Sequence, residues 1–174
     1  MLLLAALGGA LTCTSIAETQ IVGNYRANTQ AVYAADAAIE IVVNHLVTLP
    51  DWTLVHAGAV ASPFVDGAPA GIRQTRAGPV DLTAVTNFVR GGPTGRMWQL
   101  YAYRRLRDLV PVPAAYADIY VVVWAAAHPG TPGADAALLL AHAYGPYGVR
   151  RAIEAAAART PLSGVRLTAR REVH

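Results

Sequence analysis

No proline interrupts the chain between Leu2 and Leu49, and no charged side chain precedes Glu18. Proline removes a backbone donor and clashes with the preceding turn, so a stretch this long without one is free to run as a single helix. At 1.5 Å per residue that helix is about 70 Å long. The rest of a 174-residue chain is too small to cover such a rod on all sides. Its front is therefore expected in lipid or against other chains.

Met1–Ala17 sets Leu2, Leu3, Leu4, Leu7, Leu11 and Ile16 among Ala, Gly, Thr and Ser. As a helix this stretch spans roughly 25 Å, just short of a hydrocarbon core of about 30 Å. A membrane anchor, a cleaved secretory signal and a buried core helix all start from such a run. A signal peptide opens with Lys or Arg, whereas the first cation here is Arg26, and Thr12 before Cys13 suits a lipoprotein site poorly. A core helix would need apolar cover all round. The anchor is the reading taken.

Beyond Ala17 the chain turns polar, then alanine-rich at 31, 34, 35, 37 and 38. Ile39, Val43, Leu46 and Val47 restore an apolar stripe of helical period, and Pro50-Asp51 ends it. The half from about Tyr33 onward is expected to pack on a globular head. The small residues at 27, 31, 34, 35, 37 and 38 are expected to admit helices of neighbouring subunits. Glu18 and Arg26 are the polar contacts expected there, since a charge leaving lipid needs a partner.

Within Thr14–Glu40, the residues Glu18, Gln20, Ile21, Asn24 and Arg26 form an E-x-Q-I-x-x-N-x-R segment, followed by Ala34, Ala35, Asp36, Ala37 and Glu40. This region, roughly residues 1–45, resembles the N-terminal region of PilX-type type IV pilus assembly proteins. The resemblance implies a minor pilin-like structural and assembly subunit of a type IV pilus or pseudopilus. The fold would be α+β and pilin-like, a long N-terminal helix packed on an antiparallel β-sheet head. The helix would lie in the inner membrane and the head in the periplasm. The implied partners are membrane lipid and other pilin-like subunits. Members of that family carry a short cationic leader, so a start upstream of Met1 is expected. Two alternatives stand beside this reading: a secreted or periplasmic binding module whose first residues are an export signal, and a small membrane-tethered enzyme.

Residues 1–50 are thus read as the anchoring and assembly helix, and 51–174 as a β-rich head. Trp52–Ser62 suggests a strand, and Pro63–Pro79 a loop. Val80–Arg90 fits either a helix capped by Asp81 or a strand. Gly91-Gly92-Pro93-Thr94-Gly95 is a turn and Met97–Arg107 a strand. Ile119–Trp124 is a continuous apolar run, as in a central strand covered on both faces. Val165–Val173 alternates, as in a half-exposed closing strand. Residues 136–159 have the propensity of two short helices. Their similar halves flank Tyr144-Gly145-Pro146-Tyr147-Gly148, and the resemblance implies a β-hairpin, which is the expectation taken.

All 14 Lys-or-Arg positions are arginine. Without lysine there is neither a P-loop nor a Schiff base. A single cysteine excludes intramolecular disulfides and multi-cysteine zinc sites. His45, His56, His128, His142 and His174 show no i, i+4 pair, and Ser15, Ser62 and Ser163 lie outside any G-x-S-x-G elbow. His45 reads as a partly exposed helix position, His128 as a solvated loop residue, and His142 as a structural partner for a carboxylate such as Glu154. No catalytic, cofactor-binding or metal-ligating residue is named, and neither enzyme activity, a cofactor nor a small-molecule substrate is expected. Arg104, Arg105 and Arg107, Arg150-Arg151 and Arg170-Arg171 cluster in a head that carries the positive excess of a +3 chain. They fit an anionic partner such as nucleic acid, or a chain that uses arginine for every surface cation. The second is preferred, and nucleic acid is not the favoured partner.

Overall fold

The computed structural model describes residues 2–60, 62–92, 95–130, 135–160 and 164–173, with the helical backbone alone described for residues 2–10. Helix α1 runs unbroken over Leu2–Thr48. Two side chains fix its end. The indole N–H of Trp52 donates to the Leu46 carbonyl at 2.9 Å, and Arg159 donates to the carbonyls of Leu49 and Pro50, the latter at 2.9 Å. Helix ends leave such carbonyls without partners. The Arg159 guanidinium also lies 5.2 Å from the Trp52 ring centre.

The strand expected over Trp52–Ser62 is instead a short helix, α2 (Thr53–His56). The Asp51 carboxylate accepts from both the amide and the hydroxyl of Thr53, at 2.8 and 2.7 Å. That local hydrogen bonding competes with an extended backbone, and it buries Trp52 and Val55 completely.

The Pro63–Pro79 segment is only partly loop. It contains β1 (Ile72–Thr75), which pairs antiparallel with β2 (Gly78–Asp81). The Thr75 hydroxyl donates to the Gly78 carbonyl at 2.6 Å, and Gly78 supplies the positive φ of 113° that the turn requires. Arg73 ties the preceding loop down through Asp66 at 2.8 Å and the carbonyls of Ala68 and Ala70. Asp81 then caps α3 (Leu82–Arg90), accepting from Thr83 and Ala84 amides at 2.9 and 3.1 Å. This is the N-cap that decides helix over strand there. In the turn after α3, Gly95 donates to the Gly92 carbonyl at 3.2 Å, and residues 93–94 lie outside the described residues.

Five strands form one antiparallel sheet in sequence order: β3 (Gln99–Arg105), β4 (Tyr120–Ala127), β5 (Ala136–Tyr144), β6 (Arg150–Thr160) and β7 (Gly164–Val173). The β5–β6 hairpin pairs Ala136 with Ala158 and Tyr144 with Arg150, so strand wins over helix propensity across 136–159. Burial on two faces is the reason. Val121, Val123, Ala137, Leu139, Ala141, Ile153 and Ala155 point at α1. Val122, Trp124, Leu138 and Leu140 point the other way, into a second core with Val80, Leu82 and Val89. The sheet is thus sandwiched between α1 and a layer built from α3 and the β1–β2 hairpin. The Trp124 indole donates to the buried Thr86 hydroxyl at 3.0 Å and pins α3 in place.

Alanine dominates the inner layer on both sides. Ala31, Ala34, Ala35 and Ala38 of α1 meet Ala137, Ala141, Ala143, Ala155 and Ala157 of the sheet. Short side chains on both surfaces let helix and sheet approach closely, and Ile39, Val42 and Leu46 fill the wider end. Gly145 extends the contact: a Cβ there would lie 3.8 Å from that of Ala31 and 3.9 Å from the Ala27 carbonyl oxygen. The arrangement is α+β, a long N-terminal helix on an antiparallel sheet, as the sequence suggested.

Candidate functional site

Two surfaces stand out. The first is the free arm of α1. Every residue from 11 to 22 is exposed, including Leu11 at 66%, Ile16, and Ile21 at 67%. Burial begins at Ala27 and is regular from Ala31 onward. The arm belongs to a helix long and apolar enough, by length and composition, to cross a membrane. Glu18 and Arg26 are both exposed, and neither forms an ion pair among the described residues.

The small residues behave differently from expectation. Ala27, Ala31, Ala34, Ala35 and Ala38 are buried by the chain's own head. They are not a surface open to neighbouring helices. The physical reason is that an alanine sheet face needs an alanine helix face opposite it. Between residues 24 and 40 the exposed side chains are Asn24, Tyr25, Arg26, Tyr33 and Glu40. Where the arm leaves the head, Tyr147 projects from the β5–β6 turn with a φ of 59°, lining a notch with Gly23, Arg26, Arg76 and Asp118.

The second surface is a groove of about 830 Å³ on the sheet face opposite α1. It lies beside α3, over the part of β5, β6 and β7 that α3 does not cover. Phe88 and Val89 form one wall, Leu140, His142, Ala152 and Val173 the floor, and Arg96, Arg150 and Arg171 the rim. Strand register assembles it, since Ala152 pairs with Val173 and Glu154 with Arg171. Glu154, the carboxylate among the lining residues, is held by Arg96 at 2.7 Å and by Arg171 at 3.1 Å.

His142 therefore does not meet Glu154. Its ring packs edge-on against Trp124, 4.8 Å between centres, with the Tyr144 hydroxyl 3.5 Å from Nδ1. Burial, reinforced by the nearby Arg150 charge, pushes its pKa down to about 4. His45 is half-buried and shares a 2.7 Å hydrogen bond with Tyr101. His128 accepts from the Gly130 amide at 3.1 Å and is half-buried rather than fully solvated. His174 lies outside the described residues. No three His, Cys, Asp or Glu side chains converge on a metal-sized site among the described residues.

The arginine clusters are largely spent within the head. Arg104 and Arg107 face Asp108, Arg107 also faces Asp118, Arg151 faces Glu172, and Arg170 lies 2.6 Å from Asp36 on α1. Sequence reasoning singled out Arg150-Arg151 and Arg170-Arg171 but did not join them. The groove draws on α3, the 95–98 segment and three strands, so only the register brings its parts together. No family model matches the sequence, and no curated protein or solved structure matches it either.

Proposed function

We propose that the chain is a membrane-anchored structural subunit of a type IV pilus or pseudopilus, held in the inner membrane by α1 with its head in the periplasm. The observation that carries this reading is the exposed apolar arm. Leaving Leu11, Ile16, Ile21 and Val22 in water is costly, at roughly 25 cal/mol per Å² of apolar surface. Lipid, and later the helices of other subunits, would remove that cost. The E-x-Q-I-x-x-N-x-R segment at 18–26 supports the same assignment through its resemblance to PilX-type proteins.

Membrane fractionation with N-terminal sequencing tests it. The expected result is a membrane-bound chain retaining its apolar arm, released by detergent and not by high salt. Leu11→Asp should shift it toward the soluble fraction, because a carboxylate well inside a span costs up to about 2.5–3.5 kcal/mol. A soluble mature protein beginning near residue 18 would point instead to an exported binding module. Deleting the coding sequence should lower the number of surface fibres, and unchanged fibres would count against a role in assembly.

A further inference from the structure

We propose that the groove beside α3 binds an organic anion with a flat apolar body, such as an aromatic carboxylate. Its volume of about 830 Å³ suits a small ligand, since such sites commonly occupy about 300–1,000 Å³. Charge selects the sign of the ligand. Arg96, Arg150 and Arg171 present three guanidinium groups to the groove against one carboxylate, and that carboxylate, Glu154, is already neutralised by Arg96 and Arg171. Arg151 turns to the other face of the sheet, toward Glu172 at 3.8 Å. Arg150 has no ion pair with a carboxylate among the described residues, and its guanidinium lies 6.0 Å from the Phe88 ring centre. Arg150 hydrogen-bonds the neutral Tyr144 hydroxyl, and an incoming carboxylate would supply the counter-charge through a charge-assisted hydrogen bond.

The shape of the ligand follows from the walls. Phe88 is 69% exposed although it sits in the second-core layer. A large aromatic ring left open beside a cation that has no carboxylate partner is a surface on which a planar apolar group can stack. Ala152 and Val173 form an apolar floor between Arg150 and the Glu154–Arg171 pair, and Leu140 lies opposite Glu154. The site thus sets an apolar bed between positively charged groups. A cation is repelled here, and a neutral ring leaves Arg150 without a counter-charge. The groove lies on the opposite face of the sheet from α1, so the inference stands independently of the membrane assignment.

The test uses the full chain in lipid nanodiscs, with empty nanodiscs as the blank. Calorimetric titration with 2-naphthoate is compared with its neutral isostere 2-naphthamide. The expected result is saturable binding of the acid, about tenfold tighter than the amide, and about tenfold weaker for Arg150→Gln. Phe88→Ala should also weaken the acid several-fold. Both side chains are exposed, so unchanged thermal unfolding of the variants confirms that the fold is retained. Absence of saturable binding, equal affinity for acid and amide, or unaltered affinity in both variants would each overturn the proposal.

Discussion

The Tyr101 hydroxyl lies 2.7 Å from Nδ1 of His45, joining β3 to α1. A bulge makes the contact. Leu100 pairs with Trp124 and Ala102 with Val123, so Tyr101 is an extra residue whose side chain turns toward the helix. Burial pushes its phenol pKa up to about 12, so the hydroxyl keeps its proton at ordinary pH. Tyr101→Phe preserves the ring against His45 and removes the hydrogen bond. Its expected cost is about 1 kcal/mol, read as a Tm about 2–4 °C lower. An unchanged Tm would show that water replaces the hydroxyl without loss.

Packing between α1 and the sheet gives the second expectation. Ala35 is fully buried against the alanine face of the sheet. Ala35→Leu should destabilise the head by about 1–3 kcal/mol through overpacking, with any loss of fibres following from the loss of fold. Tyr33 is exposed, so Tyr33→Ala should leave stability within about 0.5 kcal/mol. A fall in fibre number for Tyr33→Ala with an unchanged unfolding curve would isolate an assembly defect. Chemical denaturation of both variants separates the two effects.

Arg159 closes the C-terminal end of α1 from a strand more than a hundred residues later. Arg159→Ala strips donors from the Leu49 and Pro50 carbonyls and the cation from the Trp52 ring. The expected loss is about 1–3 kcal/mol. Lysine should not restore it, because an ammonium cannot span two carbonyls while lying flat on an indole. Hydrogen exchange of the amides of α2 should quicken in both variants, and equal protection in the lysine form would contradict this account.

Acid sensitivity should centre on His142. Folding holds its pKa at about 4 through burial, against about 6.5 when unfolded. The unfolded chain therefore binds the extra proton between those values. The contribution to stability is complete above pH 6.5 and falls as pH drops toward 4, by at most about 3 kcal/mol. His142→Gln should flatten that decline. Urea midpoints between pH 4 and 7.5 measure the slope, and an equally steep slope in the variant would assign it to other groups.

The readable parts of this sequence were those with one dominant signal. The proline-free start gave α1, and the apolar run at 119–124 gave a strand covered on both faces. The alternating segment at 165–173 gave the edge strand β7. The misread parts were decided by short-range chemistry or by distant partners. Asp51 turns Thr53–His56 into a helix that β-branched neighbours disguise. Thr75 and Gly78 build a hairpin inside a segment whose prolines suggest only loop. The alanines of α1 look like a site for neighbouring helices until Ala137, Ala141 and Ala155 are seen to require them. The groove could not be read at all, because Arg96, Arg150 and Arg171 lie far apart in sequence and meet through strand register.

Helix α1 passes without a break from the exposed arm into the middle of the inner layer. The arm and the head therefore share one beam, with no linker about which either could swivel. Tension along that beam loads the alanine interface in shear over several turns at once, instead of peeling a single strand from the edge. A rigid strut of this kind transmits both pull and rotation from one end of the molecule to the other.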